Sequence, residues 1–268
     1  MKIRHANAPA PGVPVENTFV VSDDNEVEIG HGDVVEKMCD TLFPSRPHHV
    51  IVRATCEEGA VFALYGAATA RAMQLIKEQP GVGARIYTEL DPKDDQTLDA
   101  LLSQGYQDDD GLVRMAREIK RGPLTTGLPK GCVVVKDYLL DELECKFFLE
   151  RHNAMFADDV DAAWLKQIKE KPNFCRFLAV APNGLAGELL VWTQGETGIV
   201  GIVLTPPHFQ RKGVGSHLID HARQYWAKLG CKSAQFDARI KPGGAMRLAY
   251  NCGFRPQQLL RKYPGIDV

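Results

Sequence analysis

The stretch from Val200 to Trp226, VGIVLTPPHFQRKGVGSHLIDHARQYW, limits what this chain can fold into more than any other. Thr197 to Leu204 (TGIVGIVL) is short, apolar and rich in β-branched side chains, the pattern of a strand covered on both faces. Beyond Pro206 and Pro207 the period changes. From Ser216, residues Leu218, Ile219, Ala222, Trp226 and Leu229 recur at helical spacing, and Lys228 followed by Gly230 reads as a stop. A buried strand that hands over directly to an amphipathic helix belongs to a layered α/β fold.

The handover is Gln210-Arg211-Lys212-Gly213-Val214-Gly215. The first N–H groups of a helix lack an intrahelical acceptor and the dipole there is positive, so an anion is the natural guest. Gly213 and Gly215 let it approach the backbone closely, while Arg211 and Lys212 supply mobile charge; a pyrophosphate fits these properties. The alternative is an ordinary strand-to-helix turn with solvated cations. The spacing is neither that of a Walker A loop nor that of the Rossmann G-x-G-x-x-G.

Q-x-x-G-x-G, preceded by an apolar strand and a Pro-aromatic pair and followed by an amphipathic helix, resembles motif A of the GNAT acetyltransferases. The wider context is similar too: a second strand at Ser233–Ala238, a helix from Ala245 ending in Asn251-Cys252-Gly253-Phe254, and a hairpin of Arg176–Val180 and Leu185–Trp192 around Asn183-Gly184. The resemblance covers about residues 130 to 268. It implies acetyl-CoA as co-substrate, lying where two parallel strands splay. Backbone groups of Val203, Leu204 and Thr205 would pair with the pantetheine arm. Gln210 is the fixed residue that opens the core motif, and the amides of Arg211, Lys212, Gly213, Val214, Gly215 and Ser216 would hold the pyrophosphate. The implied activity is N-acetyltransfer: a primary amine of a small molecule or peptide attacks the thioester directly, no cysteine of the motif serving as a nucleophile. A weakly catalytic acyl-CoA-binding regulatory module is the alternative.

The family often carries a tyrosine that protonates the leaving thiolate, in N-x-x-A-x-x-L-Y-x-x-x-G-F. Here Ala245 and Leu248 match, Pro242 replaces the Asn, and Ala249 stands where the Tyr belongs. Tyr250 is one residue late, about 100° round the helix. It is either a displaced general acid or a packing aromatic. For a general base the chain offers Glu188, with Glu196 and Asp237 as further carboxylates; each can equally be a structural or solvated charge, and bound water can take the proton instead. Tyr250 and Glu188 are the catalytic candidates.

The first half repeats the order strand (His49–Ala54), helix (Ala67–Glu78), strand (Ala84–Leu90) and short helix closing in Gly105-Tyr106. Gly81 and Gly230 stand 149 positions apart, and Gly105 and Gly253 stand 148 apart. That register indicates an internal duplication, the alternative being an unrelated α/β domain with coincident spacing. Under this offset QRKGVG aligns with Val61–Gly66 (VFALYG), which has lost both cations and the first glycine. The expected architecture is therefore two tandem GNAT-like α/β (α+β) domains, each a mixed, mostly antiparallel sheet with a splayed parallel pair flanked by helices. Residues 1–127 form a degenerate domain without a lead-in like Tyr138–Lys169, and 128–268 the catalytic one. The boundary is placed in the Gly-, Pro- and Thr-rich Lys120–Gly131.

Composition sets the remaining bounds. A net charge of -2 over 268 residues leaves no basic excess for nucleic acid or an anionic membrane. Seven cysteines without a C-x-x-C pair suggest reduced thiols and no zinc site. The N-terminal MKIRHANAPAPGVPVEN has no apolar leader, and no segment nears the roughly 18 apolar residues of a membrane span, so a cytoplasmic location is expected. Asp91–Asp95 and Asp108–Asp110 read as turn and capping acids, and no metal is expected. His48, His49, His208 and His221 read as surface histidines, with His217 available to a CoA phosphate. Oligomeric state is left open.

Overall fold

The structure, a computed structural model, describes residues 1–7 and 12–268. Residues 8–11, part of the N-terminal segment read above for a leader, lie outside the described residues. In chain order the strands and helices are β1 (Lys2–His5), β2 (Thr18–Ser22), β3 (Glu28–Met38), β4 (His48–Cys56), α1 (Val61–Lys77), β5 (Ala84–Tyr87), α2 (Asp95–Ser103), β6 (Gly111–Glu118) and β7 (Val133–Asp137). There follow α3 (Glu142–Phe156), α4 (Ala162–Lys169), β8 (Cys175–Ala181), β9 (Gly184–Gln194), β10 (Thr197–Leu204), α5 (Val214–Lys228), β11 (Ser233–Arg239), α6 (Gly244–Asn251), β12 (Arg255–Lys262) and β13 (Gly265–Asp267). Two compact units divide the chain, one of residues 1–112 with 259–268, the other of residues 113–258. These limits differ from the expected division between 127 and 128. The reason is hydrogen bonding: β6 joins the sheet of the second unit beside β11, and β13 joins that of the first beside β5.

The first unit carries a six-stranded sheet in the order β1-β2-β3-β4-β5-β13. Its parallel pair runs His48–Ile51 against Ala84–Tyr87, and α1 makes the crossover, burying Leu64, Ala68, Ala72, Leu75 and Ile76 at helical spacing. The Asp94 side chain caps α2 by accepting from the Thr97 N–H at 3.1 Å, as expected of the acid cluster. The helix ends in Gly105 at φ 93°, with the Tyr106 N–H returning to the Leu101 carbonyl and the Tyr106 ring buried.

In the second unit the order is β12-β6-β11-β10-β9-β8-β7. Helices α3 and α4 cover one face, where Phe148 and Leu165 cluster with Leu190 of β9 and Leu204 of β10; α5 covers the other through Leu218, Ile219, Ala222 and Trp226. The helical lead-in is two helices, because Ala157 takes a left-handed φ of 52° at the end of α3 and the Asp161 carboxylate caps α4. The fit of α5 on the sheet depends on the smallest side chain. A Cβ on Gly198 would lie 2.2 Å from the Trp226 ring, so glycine makes room for the fully buried indole. Helix α6 ends as α2 does, with Gly253 at φ 81°, the Phe254 N–H bonded to the Ala249 carbonyl and the Phe254 ring buried. The two units thus repeat one plan: strand, crossover helix, parallel strand, and a short helix closed by a glycine and a buried aromatic.

Candidate functional site

The parallel pairing of β10 with β11 runs only from Thr197↔Ser233 to Val200↔Phe236. On its other edge β10 stays bonded to β9 as far as Leu204↔Glu188, with a bulge at Gly201. The stretch from Gly201 to Leu204 therefore leaves the β11 ladder while remaining anchored on one side. That is a V-shaped opening edged by backbone N–H and C=O groups. Two expected pantetheine-pairing residues, Val203 and Leu204, lie on this edge, and Thr205 follows at its end. Bulges commonly re-aim a strand beside a site; here a Cβ on Gly201 would sit 2.0 Å from the Trp192 ring, so only glycine admits the indole.

Beyond Thr205 the chain makes a single turn at Pro207–Phe209, and the Gln210 amide side chain donates to the Thr205 carbonyl at 3.1 Å, closing the loop. Arg211, Lys212 and Gly213 are exposed, with Lys212 Nζ 5.6 Å from the centre of the Phe209 ring. Arg211 takes a left-handed φ of 60° and Gly213 one of 83°. Helix α5 begins at Val214 with no side-chain cap, and its first backbone bond is His217 N–H to the Gly213 carbonyl at 2.9 Å. The amides of Val214, Gly215 and Ser216 therefore lack intrahelical acceptors. With no capping side chain in competition, the positive end of the dipole is left to an external anion. Gly215 also sits in a close contact: a Cβ there would come within 3.3 Å of a Leu248 methyl, where α5 and α6 meet. The expected cofactor residues from Gln210 to Ser216 thus lie together at one helix end, in line with the strand edge.

The equivalent end of α1 is built differently. VFALYG is not a loop but the first two turns of the helix, since α1 starts at Val61. Before it stand Glu57 and Glu58 in a short 3-10 turn, so carboxylates occupy the place where the second unit has cations.

The catalytic candidates are engaged in other contacts. Glu188 is fully buried on β9, and both of its oxygens accept from guanidinium groups. Arg151 donates at 2.7 and 3.1 Å and Arg176 at 3.4 Å, while Arg176 also binds Asp137 and Glu144. Such a carboxylate is held as a structural anion. Removing one partner of a buried ion pair costs about 3–5 kcal/mol. Glu196 pairs with Lys232 at 2.6 Å, and Asp237 accepts a two-pronged fork from Arg114 with both distances 2.9 Å. On α6 the one-residue displacement takes effect: Ala249 is fully buried and Tyr250 is 43% exposed, with the Arg255 guanidinium 5.8 Å from its ring centre.

Three features lie outside what the sequence alone had marked. The segment read as a linker belongs to the second unit and is strapped to α5. Arg223 donates to the carbonyls of Lys120 and Pro123 at 2.7 Å each, Asp220 accepts from Thr125, and His217 Nδ1 donates to the Thr126 carbonyl at 2.7 Å. That bond fixes the His217 tautomer, so its Nε2 accepts from His221 Nε2 at 3.2 Å. His217 is buried within this strap, not offered to a phosphate; burial first, and His217 second, holds the His221 pKa below its ordinary value. The second feature is the Arg151–Glu188–Arg176 network. The third is a cavity of about 350 Å³ on the face opposite α5, lined by Arg114, Lys171, Trp192, Gly201, Gln235 and Asp237 among others. No periodic pattern could have flagged it, because its residues come from five separate segments. Among the described residues no cluster fit for a metal ion occurs, and no helix is long and apolar enough to cross a membrane.

Comparison with known proteins agrees with this geometry. The profile of the acetyltransferase (GNAT) family matches residues 137–254. A GCN5-related N-acetyltransferase from Sphaerobacter thermophilus shares the fold over 96% of this chain and 82% of its own, at 14% identity and a TM-score of 0.54. A conserved Enterococcus faecalis V583 protein of unknown function, described as "Probable N-Acyltransferase", does so over 92% of this chain and 61% of its own, at 10% identity and a TM-score of 0.56. No curated protein matches the sequence. The splayed strands and the uncapped helix after Q-x-x-G-x-G fall within residues 137–254, the segment that matches the acetyltransferase (GNAT) family.

Proposed function

We propose that the second unit transfers an acetyl or other short acyl group from acyl-CoA to a primary amine, with Gln210–Ser216 holding the pyrophosphate and Val203–Thr205 the pantetheine arm. The observation that carries this reading is the continuity of two unsatisfied backbone surfaces. The open edge of β10 leads directly into the uncapped N-terminus of α5, and an extended chain ending in a pyrophosphate matches both. In the reaction the amine nitrogen bonds to the thioester carbonyl carbon, the C–S bond breaks and the sulfur leaves as thiolate. A free thiol has a pKa of about 8–9, so this leaving group needs no obligatory acid near neutral pH. With Glu188, Glu196 and Asp237 all in ion pairs, water takes the amine proton. The thiols support direct transfer as well: the free cysteines lie outside the loop, and burial pushes Cys252, just beyond α6, above the ordinary thiol range.

The first unit is the degenerate partner and binds no CoA, since Glu57 and Glu58 face an anion where Arg211 and Lys212 would attract one. Calorimetric titration with acetyl-CoA tests both statements: one site per chain is expected, and two equivalent sites or none would refute them. A second reading, an acyl-CoA-binding regulatory module, is favoured by the outward Tyr250. Thiol release in the presence of an amine panel separates the two, because a sensor binds acyl-CoA and releases no thiol.

A further inference from the structure

The cavity beside the Gly201 bulge has a charge pattern that selects among amines. Its floor is apolar, formed by Trp192 and Ile199, and Gln235 borders it. Asp237 follows Phe236, the last residue of β11 in register with β10, and lines the cavity where the two strands begin to part. The Arg114 fork holds that carboxylate in place and neutralises it, while the outer lone pairs of both oxygens stay available. Asp237 and Arg114 are 38% and 33% exposed, so both reach the cavity from its wall. The remaining charge is Lys171 at the rim, exposed and without an ion-pair partner among the described residues. Among the described residues, Asp237 is the only carboxylate in the lining. The lining therefore carries one neutralised acid–base pair and one surplus cation.

We infer that this cavity is the acceptor site and that it takes an amino-carboxylate: one small molecule bearing a primary amine, a carboxylate and an apolar body, as a free amino acid does. This rests on the acyl-transfer reading given above. The amine donates a hydrogen bond to Asp237 beside Gly201, the carboxylate meets Lys171 and the free edge of Arg114, and the apolar body lies on Trp192. The neutral amine's lone pair forms the new N–C bond, the sulfur takes the electron pair of the broken C–S bond, and the surplus proton passes to water at the cavity mouth. The charge balance and the small volume favour this class over a polycationic acceptor. Ligand pockets run from about 300 to 1,000 Å³, which places this one at the small end. A polyamine or polycationic sugar would also bring several charges against an uncompensated lysine, with one carboxylate, already paired, to receive them.

The test uses the full chain with saturating acetyl-CoA and follows thiol release. L-leucine, L-methionine and L-phenylalanine are compared with their carboxamides, which keep the amine and lose the carboxylate, and with spermidine. The acids should exceed their amides by about ten-fold or more in kcat/KM, chiefly through KM, the range for one charge-assisted hydrogen bond. Lys171→Gln should erase most of that ratio with kcat little changed, Lys171→Arg should restore it, and Lys171→Glu should shift preference toward spermidine. Amides or spermidine preferred by the wild type, or a ratio unchanged in Lys171→Gln, overturns this inference and leaves acyl transfer standing. Acetyl-CoA binding without thiol release for any of these amines overturns this inference, and the same result across the whole amine panel overturns acyl transfer as well.

Discussion

Gly213→Val separates binding by backbone amides from binding by exposed cations. Gly213 sits at φ 83° and ψ -3° as the residue before the first turn of α5. A Cβ there would meet only the Gly127 carbonyl, at 3.5 Å, which is ordinary contact. The substitution therefore acts through the backbone and not through a clash. Keeping a β-branched residue left-handed costs about 1–2 kcal/mol of stability. Each kcal/mol is worth about 2–4 °C in Tm for a domain of this size. Escaping that strain means rotating toward the right-handed region. Rotation swings the Val214 N–H away from an anion and disturbs the Gly213 carbonyl that accepts from His217. Loss of two hydrogen bonds to a charged group, at about 1.5–3 kcal/mol each, lowers CoA affinity about 10²–10⁴-fold. Arg211→Ala removes a solvated charge worth about 0.2–1 kcal/mol, so affinity falls about 1.5- to 5-fold, and less at high salt. Calorimetric titration of CoA into both variants at low and high salt reads the two effects. Wild-type affinity in Gly213→Val, or a larger loss in Arg211→Ala, would refute binding through the amides.

Two further outcomes follow from single side chains. Tyr250→Phe should leave single-turnover rates at saturating acetyl-CoA within a few-fold of wild type, because the ring faces solvent under Arg255; a loss of about 10²-fold or more, the scale of a working general acid, would put its hydroxyl at the sulfur. Burial holds His152 and His221 below their ordinary pKa, so the unfolded chain binds protons that the folded chain refuses. Stability should be fully present above about pH 6.5 and fall as the pH drops below it toward the folded-state values; the decline in Tm with falling pH should flatten in His221→Gln, and an unchanged profile would remove His221 from the cause.

The parts of the fold that repeat were legible in the sequence. The β10 strand falls at the residues expected, Thr197–Leu204, because β-branched runs bounded by turn residues have one good reading. Gly253-Phe254 marked the end of α6 because left-handed closure favours glycine. The turn that joins β10 to α5 was legible for the same reason: spacing within one segment carries it. What the sequence hid depends on distant partners. That Glu188 is an ion-pair anion follows only when Arg151 and Arg176 converge on it from α3 and β8. The exit of the chain from the second unit at Gln258 depends on β13 finding β5, a pairing that no local pattern encodes. Val61–Gly66 lined up with QRKGVG by count, yet the helix in the first unit starts earlier in that alignment and absorbs the aligned loop. The strap at 120–131 has linker composition, but its carbonyls accept from Arg223 on α5.

The claim on which the rest depends is that one helix end, that of α5, receives an anionic CoA. A ¹⁵N–¹H correlation spectrum of the full chain, recorded while CoA is added, observes those amides directly. Saturable shifts should appear at Gly213, Val214, Gly215 and Ser216, while Val61 through Gly66 at the start of α1 stay unmoved. Shifts at α1 in place of α5, or none at Gly213–Ser216 once CoA is in excess, would contradict it.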